Sequence, residues 1–135
     1  MLTKSYLQAL SYQIIGCAME VNKHIGPGLL ESVYQMCFLE ELKQQGLNVR
    51  SQVYVPVIYK NNNLGGTLKI DILIEEAIIV VLKSVEAMIP LYEAQLLSYL
   101  KIADKPKRLL INFNCERIKD QMISLVTESY RNLPA

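Results

Sequence analysis

The chain of 135 residues has little of what the specialised protein classes require. Six glycines and five prolines, set beside an apolar share of 51% and a charged share of 20%, exclude a disordered, collagen-like or low-complexity chain. The longest uninterrupted apolar run, Ala77 to Leu82, falls far short of the roughly 20 residues that cross a bilayer. A globular domain without a membrane partner is expected. The opening Met1-Leu2-Thr3-Lys4-Ser5-Tyr6 interleaves polar residues and lacks the apolar block of a secretory leader, so the expected compartment is the cytoplasm. There is one histidine, His24, and there are three cysteines, Cys17, Cys37 and Cys115, with no C-x-x-C pair. Neither a zinc site nor a disulfide framework follows from that set. The cysteines read as small core residues and His24 as a surface residue. Fourteen basic residues against thirteen acidic ones leave a formal charge of +1, which gives no global attraction for polyanions. Any contact with nucleic acid must be local. Gly26-Pro27-Gly28 lacks the spacing of a P-loop or dinucleotide loop.

What is present is a clear alternation of helical and strand texture over one domain, residues 1–135. Leu7, Leu10, Ile14, Cys17, Ala18, Val21 and Ile25 recur at three and four residues, predicting an amphipathic helix that stops at Gly26-Pro27-Gly28. A second helix is predicted from Leu29 to Gln45, stopped by Gly46. The texture then changes to alternation from Val49 to Lys60, turn residues from Asn61 to Gly66, and a return strand from Thr67 to Ile74. Glu75-Glu76 reads as a tight polar turn, and Ile78 to Leu82 as a strand buried on both faces. Pro90 opens a third helix ending near Ile102, a Lys/Pro loop follows, and Arg108 to Phe113 is again β-rich. Strand, helix and strand in that order predict a βαβ crossover with parallel strands. The segment from Ile118 to Val126 fits a last strand better than a helix. The fold class expected is α/β, with one mixed sheet of four or five strands flanked by helices.

Two charged residues stand out within this frame. Lys83 ends the apolar run, and open α/β sheets place their ligand sites at the carboxyl ends of parallel strands. Asp71 interrupts the apolar return strand one short turn earlier, so Asp71 and Lys83 can face each other across the strand pair. The plainer alternatives are a snorkelling lysine and an aspartate bonded to a turn amide.

The segment Gly28-Leu29-Leu30-Glu31-Ser32-Val33-Tyr34 resembles the motif of the GxxExxY family, and the resemblance runs from about Ile14 to about Val126. It includes Ala18-Met19-Glu20-Val21, Asp71, Leu82-Lys83-Ser84-Val85-Glu86, Ala94 to Lys101, and Leu110-Ile111-Asn112-Phe113. Such proteins are similar to small members of the PD-(D/E)XK nuclease superfamily, which implies a restriction-endonuclease-like fold. It also implies a divalent-metal-dependent phosphodiester hydrolase using Mg²⁺ or Mn²⁺, acting on nucleic acid. The resemblance makes Asp71 a metal ligand, Lys83 the group that orients the attacking water, and Gln95 and Tyr99 site-lining residues.

Three positions depart from the pattern. Val81 stands two residues before Lys83, where the second acidic ligand belongs and where i, i+2 spacing would put it beside the lysine. Tyr92 and Asn22 stand where relatives usually have histidine. Glu20 and Glu31 are the candidate replacement ligands, since acids of the first helices can approach the site; Glu86 faces the other way if the strand continues. Glu31 equally suits a helix N-terminus, and Glu20 equally suits a solvated pair with Lys23 or His24. Tyr34, Tyr92 and Tyr99 are candidate substrate contacts; Tyr34 equally suits simple packing over Glu31. Lys101, Lys105, Lys107 and Arg108 form a basic cluster that either meets a phosphate backbone or stays solvated. The resulting expectation is a divergent, catalytically impaired nuclease-like protein that acts on or binds nucleic acid. The alternative is a non-catalytic binding or homo-oligomeric module on the same fold.

Overall fold

The computed structural model describes residues 2–103 and 105–135, with side chains for all of these except 99–103. Helix α1 spans Lys4–Ile25, and the Thr3 hydroxyl caps it by accepting from the Tyr6 backbone N–H at 3.0 Å. Leu7, Leu10, Ile14, Cys17, Ala18 and Val21 are all buried, as their helical spacing predicts, and Lys23 and His24 fall in the last turn, where cations favour the helix dipole. Gly26 ends the helix with φ +66 and donates its N–H to the Asn22 carbonyl at 2.8 Å. Gly28, at φ +100, completes the reversal in a conformation that side-chain-bearing residues resist. Helix α2, Glu31–Gln44, then buries Tyr34, Phe38 and Leu42 against α1 and the sheet.

Strands β1 (Val49–Tyr59) and β2 (Asn62–Ile74) form a long antiparallel hairpin. Its turn is tighter than the sequence suggests. Lys60 and Asn61 both take left-handed φ values, 50° and 65°, and close the hairpin in two residues. The Asn/Gly-rich stretch 62–66, expected as loop, therefore belongs to β2. A register shift between Pro56 and Ile58 accommodates it. After the turn at Glu75 and Glu76, β3 (Ile78–Lys83) pairs antiparallel with β2. Arg50 fixes this corner with a bidentate contact to Glu76 at 2.7 and 2.8 Å.

Helix α3 (Pro90–Ala103) carries the chain over to β4 (Lys107–Asn112), which runs parallel to β3. β5 (Met122–Val126) pairs antiparallel with β4 after a single 3₁₀ turn at Ile118–Asp120, and the short α4 (Glu128–Arg131) follows. The five-stranded mixed sheet has the order β1-β2-β3-β4-β5. Ile78, Ile79 and Val80 are fully buried, which accounts for the unbroken apolar run that marks this strand in the sequence.

The main core lies where α1 and α2 cover one face of the sheet, and Phe113 is its centre. Its ring stacks on Tyr34 at 5.3 Å and meets Phe38 edge-on at 5.5 Å. A smaller cluster of Ile70, Leu73 and Ile79, with Val53, Val55 and Val81 against it, builds a second apolar layer. Tyr34 has no exposed surface, and its hydroxyl donates to the Gly26 carbonyl at 2.7 Å while accepting from the Leu29 N–H at 3.2 Å. Tyr34→Phe keeps the ring packing and loses both bonds. A destabilisation of about 1–2 kcal/mol is expected in urea unfolding. A midpoint equal to wild type would show that the hydroxyl does not hold the turn.

Candidate functional site

β3 and β4 end side by side, Lys83 paired with Asn112 in parallel register. Side chains alternate along a strand, so Ile79, Val81 and Lys83 share one face of β3, with Arg108 and Leu110 beside them on β4. α3 closes over this face with Tyr92, Gln95 and Leu96, β2 contributes Lys69, Ile70 and Asp71, and Glu31 stands at the rim. Together they enclose a cavity of about 110 Å³. The last paired residues of β2 and β3 are Ile72 and Val80, so one step further along that register sets Asp71 across from Val81.

A network of side-chain amides outside the lining ties down the chain just after Lys83. Asn112, fully buried, donates to the Val85 carbonyl at 3.0 Å and to Gln121 Oε1 at 3.1 Å, and accepts from the Val85 and Asn114 N–H groups, both at 3.1 Å. Asn114 Nδ2 donates to the Val85 carbonyl at 3.2 Å, and its Oδ1 accepts from the Gly28 N–H at 2.9 Å. The Ser84 hydroxyl donates to the Leu29 carbonyl at 2.6 Å. These bonds tie the residues after Lys83 to the turn before α2, which sets Glu31 beside Lys83. The spacing of Gly28, Glu31 and Tyr34 then has a physical reading: a left-handed glycine to turn, an acid in the first helical turn facing the cavity, and a tyrosine one turn on that locks the reversal.

Charge dominates the interior. The Lys83 ammonium lies 4.8 Å from the centre of the Tyr92 ring, a cation–π contact that holds it over the cavity. Burial pushes the Asp71 carboxyl above its usual range, with Lys69, Lys83 and Arg108 pulling in the opposite direction. Glu31 is also raised, first by burial and further by Asp71, while Lys83 and a hydrogen bond from the Ser84 backbone oppose the shift. Arg108 is fully buried and donates from Nη1 to the Leu96 carbonyl at 2.9 Å, which joins β4 to α3.

The candidate residues separate into two groups. Asp71, Lys83, Gln95, Tyr92 and Glu31 line the same cavity. Glu20 does not: it lies on α1 in an exposed pair with His24 at 2.8 Å. Tyr34 is sealed in the core and offers no surface to a substrate. Asn22 Nδ2 donates to the Cys115 carbonyl at 2.8 Å, tying α1 to the loop after β4. Glu86 is exposed beyond the end of β3 and outside the cavity lining. The Tyr99 and Lys101 side chains lie outside the described residues. The basic cluster divides, because Lys107 and Arg108 are buried members of β4 rather than solvated loop residues. The three cysteines are free, Cys17 buried and the other two partly so.

Lys69, Arg108 and the Asn112–Asn114 pair carry weight that the sequence reading did not assign. Arg108 was legible only as part of a charge run. Its signal was the apolar residues that follow it, which place a strand, and hence burial, at that position. Asn112 ends the run Leu109-Leu110-Ile111, and an amide at the end of such a run is a candidate hydrogen-bonding hub.

A mixed α/β sheet with Asp71 and Lys83 on neighbouring strands under a crossover helix defines a restriction-endonuclease-like fold. A family model of the PD-(D/E)XK nuclease superfamily matches residues 8–125, and the chain belongs to that superfamily. No curated protein and no solved structure matches significantly. Members of the superfamily generally use divalent metals. The residues here do not fit that requirement: among the described residues no three His, Cys, Asp or Glu side chains come together. Among the described residues Asp71 and Glu31 are the carboxylates that line the cavity, and Val81 supplies no oxygen.

The raised Asp71 pKa sets a pH prediction with a definite sign. Its neutral form is favoured in the folded state, so stability falls as pH rises from the unfolded value near 4 through the folded value. Asp71→Asn should therefore raise Tm at pH 7 by about 2–5 °C. Calorimetry between pH 3 and pH 8 should show that gain vanish below about pH 4. A gain that grew on acidification would contradict the assignment.

Proposed function

We propose that this domain is a divergent, catalytically impaired PD-(D/E)XK protein that engages nucleic acid through the cavity under α3. The observation that carries the reading is Val81. Asp71, Lys83 and Gln95 converge in the cavity as catalysis of this type requires, while the position facing Asp71 offers an isopropyl group in place of a carboxylate. Glu31 is the only other acid lining the cavity among the described residues, and the Ser84 backbone opposes the rise of its carboxyl pKa. Tyr92 and Lys69 stand beside the site as substrate contacts. The Gly28–Glu31–Tyr34 spacing supports placement in the GxxExxY branch.

Labelled single- and double-stranded DNA and RNA, incubated with the protein in Mg²⁺ or Mn²⁺, are expected to be cleaved no faster than with Asp71→Ala. Binding should nevertheless be measurable, with affinity that falls as salt rises, because phosphate contacts release counterions. Lys83→Ala should lower the slope of log K against log salt by about 1. Cleavage that depends on Asp71 would overturn the impairment, and binding indifferent to salt would overturn the nucleic-acid reading. Val81→Glu should raise divalent-cation affinity in calorimetry; no change would mean that position 81 is not the missing ligand position.

A second reading, a homo-oligomeric module, is favoured by one observation. Tyr54, Ile58, Tyr59 and Leu64 on the β1–β2 hairpin are all more than half exposed. Sedimentation at micromolar concentration reads it directly: a monomer removes that reading.

A further inference from the structure

We propose that the β1–β2 hairpin is a DNA-binding arm, a two-stranded ribbon that enters the major groove of a duplex lying past the cavity. The proposal rests on the nucleic-acid reading above and names the form of nucleic acid and the element that grips it.

The hairpin runs out from the body of the sheet. Pairing of β2 with β3 ends at Ile72, and beyond it β1 and β2 continue as a ribbon to the turn at Lys60 and Asn61. Val53 and Val55 still pack against the cluster that holds Ile70, but every residue from Ile58 to Thr67 is exposed. Successive side chains of a strand point to opposite faces, so exposure at every position leaves both faces of the tip clear. Platforms that stack single-stranded bases are one face of a larger sheet or barrel. A ribbon exposed on both faces suits insertion between two walls instead. Its exposed part, about five residues on each strand, is roughly 15 Å long. The major groove of B-form DNA, about 12 Å wide and 8.5 Å deep, admits such a ribbon. The narrow major groove of A-form RNA does not.

Charge selects the partner. The chain has thirteen acids, yet none lies between Glu41 and Asp71, where Lys43, Arg50, Lys60 and Lys69 fall. Arg50 is held by Glu76 at the base of the hairpin, whereas Lys60 and Lys69 lie farther out on the ribbon. The Lys60 ammonium rests 5.4 Å from the centre of the Tyr59 ring at the tip. Lys69 is paired in register with Tyr54, which puts those two side chains on one face. Tyr54 and Tyr59 are 62% and 59% exposed, and both lysine and tyrosine donate to phosphate oxygens. Asn61, exposed at the turn, carries an amide of the kind that reads base edges in that groove. A second copy of this chain is a poorer match. A twofold contact would set one acid-free surface against another, and Pro56 interrupts the hydrogen-bonding edge of β1. Lys69 also lines the cavity, so the arm begins where the proposed site does and one duplex can meet both.

The test is anisotropy of one labelled sequence prepared as duplex DNA, duplex RNA and single strand at low salt, with sedimentation of the free protein alongside. Duplex DNA should bind about tenfold more tightly than either other form. Lys60→Glu should weaken it about fivefold, and Lys60→Ala should lower the slope of log K against log salt by about 1. Glu75 and Glu76 take the same left-handed backbone as Lys60, with φ of 53° and 54°, so Lys60→Glu suits the turn. Tyr54→Ser repeats the measurement away from the turn and should weaken binding about threefold. Both variants should unfold at the wild-type urea midpoint, which separates a lost contact from a lost fold. Duplex binding that ignores Lys60→Glu and Tyr54→Ser but falls with Lys83→Ala would overturn the arm and leave the nucleic-acid reading in place. Equal affinity for the three forms would do the same. A dimer that Tyr54→Ser dissolves would assign the ribbon to a second copy of this chain and overturn the proposal. Binding of none of the three forms would overturn the proposal and the nucleic-acid reading together.

Discussion

The geometry of the site depends on one buried amide. Asn112 sits at the end of β4 with no exposed surface, and it satisfies its carboxamide through Val85, Asn114 and Gln121. A buried amide is tolerated only when it is hydrogen-bonded in this way, and once bonded it permits few alternatives. Here it fixes the path of the chain immediately after Lys83. Asn114 passes that constraint to Gly28, and Ser84 passes it to Leu29, so the first turn of α2 is placed relative to the end of β3. The Glu31–Lys83 relation is thus a consequence of backbone pinned by side chains far from the cavity lining.

The cavity itself stores unfavourable electrostatics, and the surrounding fold supplies the stability that keeps it assembled. Burial raises both carboxyls, and Asp71 raises Glu31 further. Against this stand the core around Phe113, the bidentate Arg50–Glu76 contact and the capped first helix. Strained local chemistry held by a rigid frame is characteristic of functional sites, and it explains why removing a site charge is expected to stabilise the domain.

Much of this fold was legible in the sequence, and the exceptions have physical causes. Helical periodicity located α1 and α2, and the apolar run from Ala77 to Leu82 located the central strand, because in both cases burial dictates residue type at every position. The hairpin turn was misplaced because Asn61–Gly66 is rich in turn formers, whereas the actual turn uses Lys60 and Asn61 at positive φ. Tertiary pairing with β1 overrides local propensity there. At the site, Asp71 and Lys83 were visible as charges in apolar strands. Glu20 and Glu31 could not be separated by sequence, since both are acids on early helices. What distinguishes them is the reversal at Gly26 and Gly28, which turns α2 toward β3 while Glu20 points outward to His24. Arg108 was hidden among neighbouring lysines because charge runs usually mark solvent, and only the strand assignment shows it to be interior.

The valine at position 81 links these levels. It packs against Ile70, Leu73 and Ile79, so it extends the smaller apolar cluster to the floor of the cavity. An ionised carboxylate in its place would have to be desolvated beside Asp71, at a cost that only a bound cation would offset. With valine there, Asp71 has no second carboxylate opposite it, and Lys69, Lys83 and Arg108 pull against the burial that raises its pKa. A single side chain thereby ties the packing of the smaller apolar cluster to the chemistry of the cavity floor, within the frame set by the strands, the crossover helix and the amide network.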